Sequence, residues 1–334
     1  MSTLGAGGLR VAVVCGGPSS EAAVSRASGR GVAQALRTAG CHAETIELDA
    51  GLPAALLSGA FDVVFPTTHG PLGEDGCLQG LLEVIGVPYV GSGVLGSATA
   101  ASKPAAKRCF RAFGLPLAGE RVVHQGEVEQ VDLEQLLDEL GPSLVVKPAS
   151  GGSSIGVQRL GAETRATDLR AALLRSFEVD PEALIESFVS GLEVTCGVLE
   201  RDDGAVAFPP TLIHSNAAEW YDFKSRYATG GSRHVCPAPL SAQRLARVQQ
   251  VAVAAFRAVS ARDLARMDFV VPEDEGQDVT LLEVNTLPGM TATSLFPEAA
   301  AVAGYAFPEL CLHLARRARA RPARYVPDEV PLPD

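Results

Sequence analysis

The sequence predicts an α/β protein of several domains, and three observations carry that reading. Short apolar runs alternate with helix-length segments over residues 1–91, an α+β stretch follows over 92–185, and residues 186–318 end in two apolar runs joined by a tight polar connection. With 334 residues, 47% of them hydrophobic and 20% charged, the chain has enough apolar content for two or three cores.

The elements follow in order. RVAVVC (10–15) reads as a strand closed by Gly16-Gly17. SSEAAVSRASGRGVAQALRTAG (19–40) reads as a helix with serine at its start and Gly40 at its end. HAETIEL (42–48) and DVVFPTTHG (62–70) supply two more strands. Strand–helix–strand alternation gives a parallel sheet, and ligands of such sheets sit beyond the carboxyl ends of the strands. GSGVLG (91–96) spells G-x-G-x-x-G, but it follows three strands and lacks the acidic residue about 20 positions on, so it is read as no dinucleotide site.

Next come a helix at SKPAAKRCFRAF (102–113), a Gly-Leu-Pro break at 114–116, a helix near 132–140 and the strand SLVVKPA (143–149). Residues 186–318 hold EVTCGVLE, the long helix SAQRLARVQQVAVAAFRAVSA (241–261), the paired runs and a closing helix. Residues 319–334, rich in proline, read as a loose tail.

The formal charge of −11 excludes a surface built to neutralise nucleic-acid phosphates. Seven cysteines without a C-x-x-C pair indicate neither a disulfide framework nor a zinc site. No apolar run approaches the ~20 residues of a membrane span, and the first residues do not read as a secretory leader. The expectation is a cytoplasmic protein with no membrane or nucleic-acid partner.

Two stretches carry chemistry. LARMDFVV (264–271) and LLEVN (281–285), joined by PEDEGQD, read as an antiparallel hairpin. Side chains two apart on a strand share a face, so Asp268, Glu283 and Asn285 can converge. Two carboxylates and an amide oxygen form a hard-oxygen set suited to Mg²⁺. VVKPASGGSSIGV (145–157) places Lys147 at a strand end before glycines and the hydroxyls of Ser153 and Ser154, a pattern that wraps an anion or simply makes a flexible hairpin. No G-x-x-x-x-G-K-[ST] occurs, which excludes a Walker-type site.

The six segments GGPSSEAAVS, HGPLGEDGCLQGLLEVIGVPYVGSGVLGSATAASK, VVKPASGGSSIGV, LIESFVSGLEVTCGV, YDFKSRY and LLEVNTLPGMTATSL occur in the order in which they occur in the ATP-grasp ligases. Over residues 10–318 the chain most closely resembles the D-alanine:D-alanine ligase family of that superfamily. The resemblance implies a three-domain ATP-grasp fold: an N-terminal Rossmann-like domain (1–91) and two α+β domains (92–185 and 186–318) that clamp ATP. It also implies a homodimer and two Mg²⁺ ions, with Mn²⁺ as a substitute.

By the same resemblance Lys103, Lys147, Ser153, Ser154 and Arg226 would meet ATP phosphates, Glu186 and Val189 the adenine, and Glu193 the ribose. Asp268, Glu283 and Asn285 would hold the metal. Glu21 and His69 would receive the first D-alanine, and Ser294 and Leu295 the second. Ser153 and Tyr227 would bridge to Glu21, while Arg266 and the Gly289 N–H would stabilise the tetrahedral intermediate.

Departures from the family pattern are Ala22-Ala23 after Glu21, Ser102 for an aspartate, Gly151 for a charged residue, and Arg226 for a lysine. None removes a metal ligand. The implied product is D-alanyl-D-alanine for peptidoglycan precursors, formed through an acyl phosphate. The alternatives are a relative that takes D-lactate or D-serine second, which Tyr227 disfavours, and a catalytically idle ATP-binding protein on the same fold.

Overall fold

The computed structural model describes residues 8–152, 155–215, 232–291 and 293–322. Ser153, Ser154, Arg226 and Tyr227, all expected at the site, lie outside the described residues, as does most of the tail.

The amino-terminal sheet is parallel, in the order β2 (His42–Glu47), β1 (Arg10–Cys15), β3 (Val63–Pro66). The central strand is apolar at nearly every position because both of its faces are covered. Val11 and Val13 pack with Val32 and Leu36 of α1 (Ala22–Thr38), whereas Ala12 and Val14 pack with Leu52 and Leu56 of α2 (Leu52–Gly59) and Leu78 of α3 (Cys77–Ile85). The start of α1 differs from the serine expected there. Glu21 is the capping residue and makes no side-chain cap bond, while Ser19 Oγ accepts the Glu21 N–H.

Two helices follow, α4 (Val94–Ala101) and α5 (Lys103–Ala112). Between them Ser102 adopts extended backbone and its Oγ accepts the Ala105 N–H at 3.3 Å. Serine thereby fills the helix-capping role open to the aspartate it replaces.

A four-stranded antiparallel sheet comes next, in the order β4 (Glu120–His124), β7 (Glu182–Ser187), β5 (Leu144–Pro148), β6 (Gln158–Leu160). It packs Val146 and Ile185 against Leu136 of α6 (Leu133–Leu140) and Leu169 of α7 (Ala166–Ser176). The third sheet has β8 (Leu192–Arg201) at its centre. β8 pairs with β9 (Gly204–Ala207), with β10 (Thr211–Ser215), which continues to β11 (Ser232–Val235), and with β12 (Leu264–Val271), which pairs with β13 (Thr280–Asn285). Helix α8 (Ala242–Ala258) covers it, and α9 (Leu295–Val302) and α10 (Phe307–Ala320) close the described chain.

Packing departs from the expected segmentation in three places. Ala106 and Phe110 of α5 lie in the core of the third sheet, so this helix packs with the carboxy-terminal unit. Position 186, expected to open that unit, lies inside β7 of the middle sheet. Leu310 and Leu314 of α10 complete the core of the first sheet.

The glycines of the GSGVLG run serve packing. Gly91 N–H donates to Asp263 Oδ2 at 2.7 Å, and a Cβ at Gly96 would lie 2.6 Å from the Ser260 carbonyl oxygen. Among the described residues no helix is long and apolar enough to cross a membrane. All seven cysteines are free thiols.

Candidate active site

The expected hairpin is β12 with β13. Their antiparallel register sets Asp268 opposite Glu283 and Arg266 opposite Asn285, with a bulge just after Asp268. Directly opposed residues share a face, and so do i and i+2, so all four side chains project to one side. Arg266 forks onto Asp268 through Nε and Nη2, both at 2.8 Å. Asn285 Nδ2 donates to Asp268 Oδ2 at 3.2 Å. Thr195 Oγ1, from the neighbouring β8, lies 2.8 Å from Asp268 Oδ1. The three expected oxygen ligands therefore share one small region, and a divalent cation would take the Asn285 amide through its oxygen.

Asp268 and Glu283 also line a cleft between the middle and third sheets, together with Lys103, Lys147, Glu186, Val189 and Glu193. The Lys103 N–H donates to Ala149 O beyond the end of β5. Its ammonium group donates to Gly151 O at 2.6 Å and lies 3.9 Å from Glu283 Oε2. Lys147 is ion-paired with Glu186, and this buried carboxylate also pairs with Lys107. Burial opposes ionisation of Glu186, but the two ammonium groups outweigh it and hold the carboxyl at about 2. Burial of Lys147 is likewise outweighed by Glu186 and Glu283, so its ammonium stays charged.

Lys107 and its second partner Glu120, 3.4 Å away, were not singled out from the sequence. A signal was there. Lys103, Lys107 and Arg111 recur every four residues in a segment of helical pattern, which puts three cations along one face.

At the other end of the hairpin face, Glu21 and His69 are buried where the amino-terminal sheet meets the glycine hairpin. A Cβ at Gly152 would lie 3.4 Å from Glu21 Oε2. Burial, opposed by Glu21 and reinforced by Arg266, lowers the His69 pKa. His69 Nε2 is buried with no hydrogen-bond partner among the described residues.

The loop after β13 is tied to α1 by the Met290 N–H, which donates to Ser28 Oγ. A Cβ at Gly289 would lie 2.9 Å from Ser294 Oγ, so glycine permits the close return of the chain there. Ser294 precedes Leu295 at the amino end of α9 and accepts the Thr291 N–H at 3.0 Å.

The sequence model described as "D-ala D-ala ligase C-terminus" matches residues 109–316, well over half of the chain. The chain belongs to the D-alanine–D-alanine ligase family. The family's N-terminus model matches residues 49–92. The D-alanine–D-alanine ligase of Acidiphilium cryptum is 44% identical over 93% of this chain and 99% of its own length. That of Gluconobacter oxydans is 41% identical over 94% and 100%.

The D-alanine–D-alanine ligase of Bacillus anthracis superposes with a TM-score of 0.78 at 30% identity, covering 93% of this chain and 97% of its own. A second structure of that enzyme, in complex with ATP, gives 0.77. The three-sheet arrangement is thus the expected ATP-grasp fold of the D-alanine–D-alanine ligases. In this chain α5, β5, β7, β8, β12 and β13 each send at least one side chain into the cleft.

Proposed function

We propose that this chain joins two D-alanine molecules into D-alanyl-D-alanine with conversion of ATP to ADP and phosphate, supplying a peptidoglycan precursor in the cytoplasm as a homodimer. The observation that carries the reading is the convergence of Lys103 and Lys147 with the Asp268–Glu283 pair on one cleft in a chain of this family.

A free carboxylate is a poor electrophile. Phosphorylating the first D-alanine gives an acyl phosphate that the amine of the second can attack, with phosphate as leaving group. Lys103 and Lys147 bring positive charge to the ATP phosphates, joined by Arg226, Ser153 and Ser154 from segments outside the described residues. Glu186 and Val189 border the adenine, and Glu193 the ribose. Asp268, Glu283 and Asn285 would hold two magnesium ions, or manganese in their place, which when bound would neutralise charge on the phosphates. The all-oxygen donor set on one hairpin face fits such ions.

Glu21 grips the first D-alanine's ammonium group, and by the family resemblance Ser153 and Tyr227, both outside the described residues, would bridge to it and exclude water. His69, kept neutral by burial, offers Nε2 to the same substrate. Arg266 and the Gly289 N–H oppose the negative charge of the tetrahedral intermediate. Ser294 and Leu295 present the amino end of α9, where backbone N–H groups favour an anion, to the second substrate's carboxylate.

Product identification with Mg-ATP and a panel of D-amino and D-hydroxy acids tests this. The expected result is ADP release that requires D-alanine and yields D-alanyl-D-alanine. Preferential formation of a D-lactate or D-serine product, or ATP turnover indifferent to D-amino acids, would overturn it.

A further inference from the structure

Glu120 and Glu186 stand directly opposite one another in the antiparallel β4–β7 pair. Like charges in that position repel, and burial strengthens the repulsion. Lys107 relieves it. Its side chain is 1% exposed, and its ammonium lies 3.4 Å from Glu120 Oε2 and is ion-paired with Glu186 Oε1. The other Glu186 oxygen pairs with Lys147, and the other Glu120 oxygen with Arg111 at 2.5 Å. Alternating charges thus run from the surface at Arg111 through Glu120, Lys107 and Glu186 to Lys147, which lines the nucleotide cleft.

We propose that Lys107 is a positioning residue for nucleotide binding, acting through Glu186 to set how tightly Lys147 is held and how much of its charge faces the cleft. This rests on the reading that Lys147 meets the phosphates of ATP. With Lys107 present, Glu186 shares its charge between two ammonium groups. Without it, Lys147 is the one cation left paired with Glu186 among the described residues, with Glu120 opposite Glu186 across the strand pair. Lys147 is then drawn toward the carboxylates, and its attraction for a polyanion falls. Lys107 itself is buried behind Glu186 and touches no ligand in this scheme.

The test is steady-state kinetics of the full chain with ATP and D-alanine varied separately. Lys107→Met is expected to raise KM for ATP about tenfold, the scale of one charge-assisted hydrogen bond, while kcat and KM for D-alanine change little. In a Glu186→Gln background the same substitution should add nothing, because the carboxylate through which it acts is gone.

Lys107→Met/Glu120→Gln removes an ammonium and a carboxylate together. This second variant preserves buried charge balance should the single substitution unfold the protein. An unchanged KM for ATP in either folded Lys107 variant, or additive effects with Glu186→Gln, would overturn the proposal. If Lys147→Ala leaves KM for ATP unchanged, the nucleotide role of Lys147 falls and the proposal with it. If Lys147 matters and Lys107 does not, the proposal falls alone.

Discussion

Asp268 and Glu283 face each other across the β12–β13 pair, two carboxylates set where a sheet normally avoids like charges. Arg266 offsets one and Lys103 lies near the other. Glu283→Ala is expected to lower ATP turnover by at least about 10²-fold. Wild-type protein should also melt higher in Mg²⁺ plus ADP than in EDTA plus ADP. The variant should lose that difference in a thermal-shift measurement.

Thr195 holds Asp268 from behind. Its hydroxyl lies 2.8 Å from Asp268 Oδ1 and 3.1 Å from Met267 O, and the residue is buried. Thr195→Val keeps the shape and removes the hydrogen bond. Groups that orient a metal ligand, the role proposed for Asp268, are worth roughly 10–100-fold in metal affinity or activity. A magnesium activation curve should therefore move to higher concentration by about tenfold, with the melting temperature changed far less than by loss of a ligand.

Glu74 predicts a stability effect on the alkaline side. Burial, with Glu21 and Glu283 adding repulsion, pushes its carboxyl from an ordinary 4.5 up to about 8, against the pull of the Gly70 N–H at 2.7 Å. The folded state prefers the protonated acid. Its contribution is thus full below 4.5 and is lost as pH rises toward 8. Glu74→Gln cannot ionise and keeps an acceptor for Gly70. The side chain retains some accessible surface, which tempers the effect. The variant should match wild type at about pH 4 and melt higher by roughly 5 °C at about pH 9, as read by differential scanning calorimetry.

Asp263 is fully buried and gathers contacts from distant parts of the chain. It accepts the Gly91 N–H at 2.7 Å, ion-pairs with Arg321 at 2.6 Å, and lies 3.5 Å from Arg317 Nε. Its φ of +63° is one that asparagine tolerates, so Asp263→Asn removes the charge and one of two accepting oxygens without adding backbone strain. Losing a buried pair costs about 3–5 kcal/mol, and the partly exposed arginines put this case near about 3 kcal/mol. Urea denaturation should show the midpoint falling accordingly, with the transition slope unchanged.

What the sequence made legible follows how local each feature is. The strands at 10–15, 42–47 and 63–66 and the hairpin bearing Asp268 and Glu283 rest on patterns within a few residues. Placement of α5 against the third sheet does not, because Phe110 reads as an ordinary apolar helix residue until its partners are known. Lys107 is hidden for a related reason. A lysine in a helix is usually solvated, and its burial between Glu120 and Glu186 depends on two strands that are distant in sequence from each other.

The two ends of the described chain meet in one interior, where Val11, Val13 and Leu36 touch the layer formed by Leu310 and Leu314. A ribosome making this protein completes the first sheet roughly 240 residues before the helix that shields it. Until then the face of β1 that carries Val11 and Val13 has α1 as a cover but lacks the layer of Leu310 and Leu314. A polypeptide stopped short of residue 307 would keep every expected metal ligand and still present a bare, adhesive surface to its surroundings.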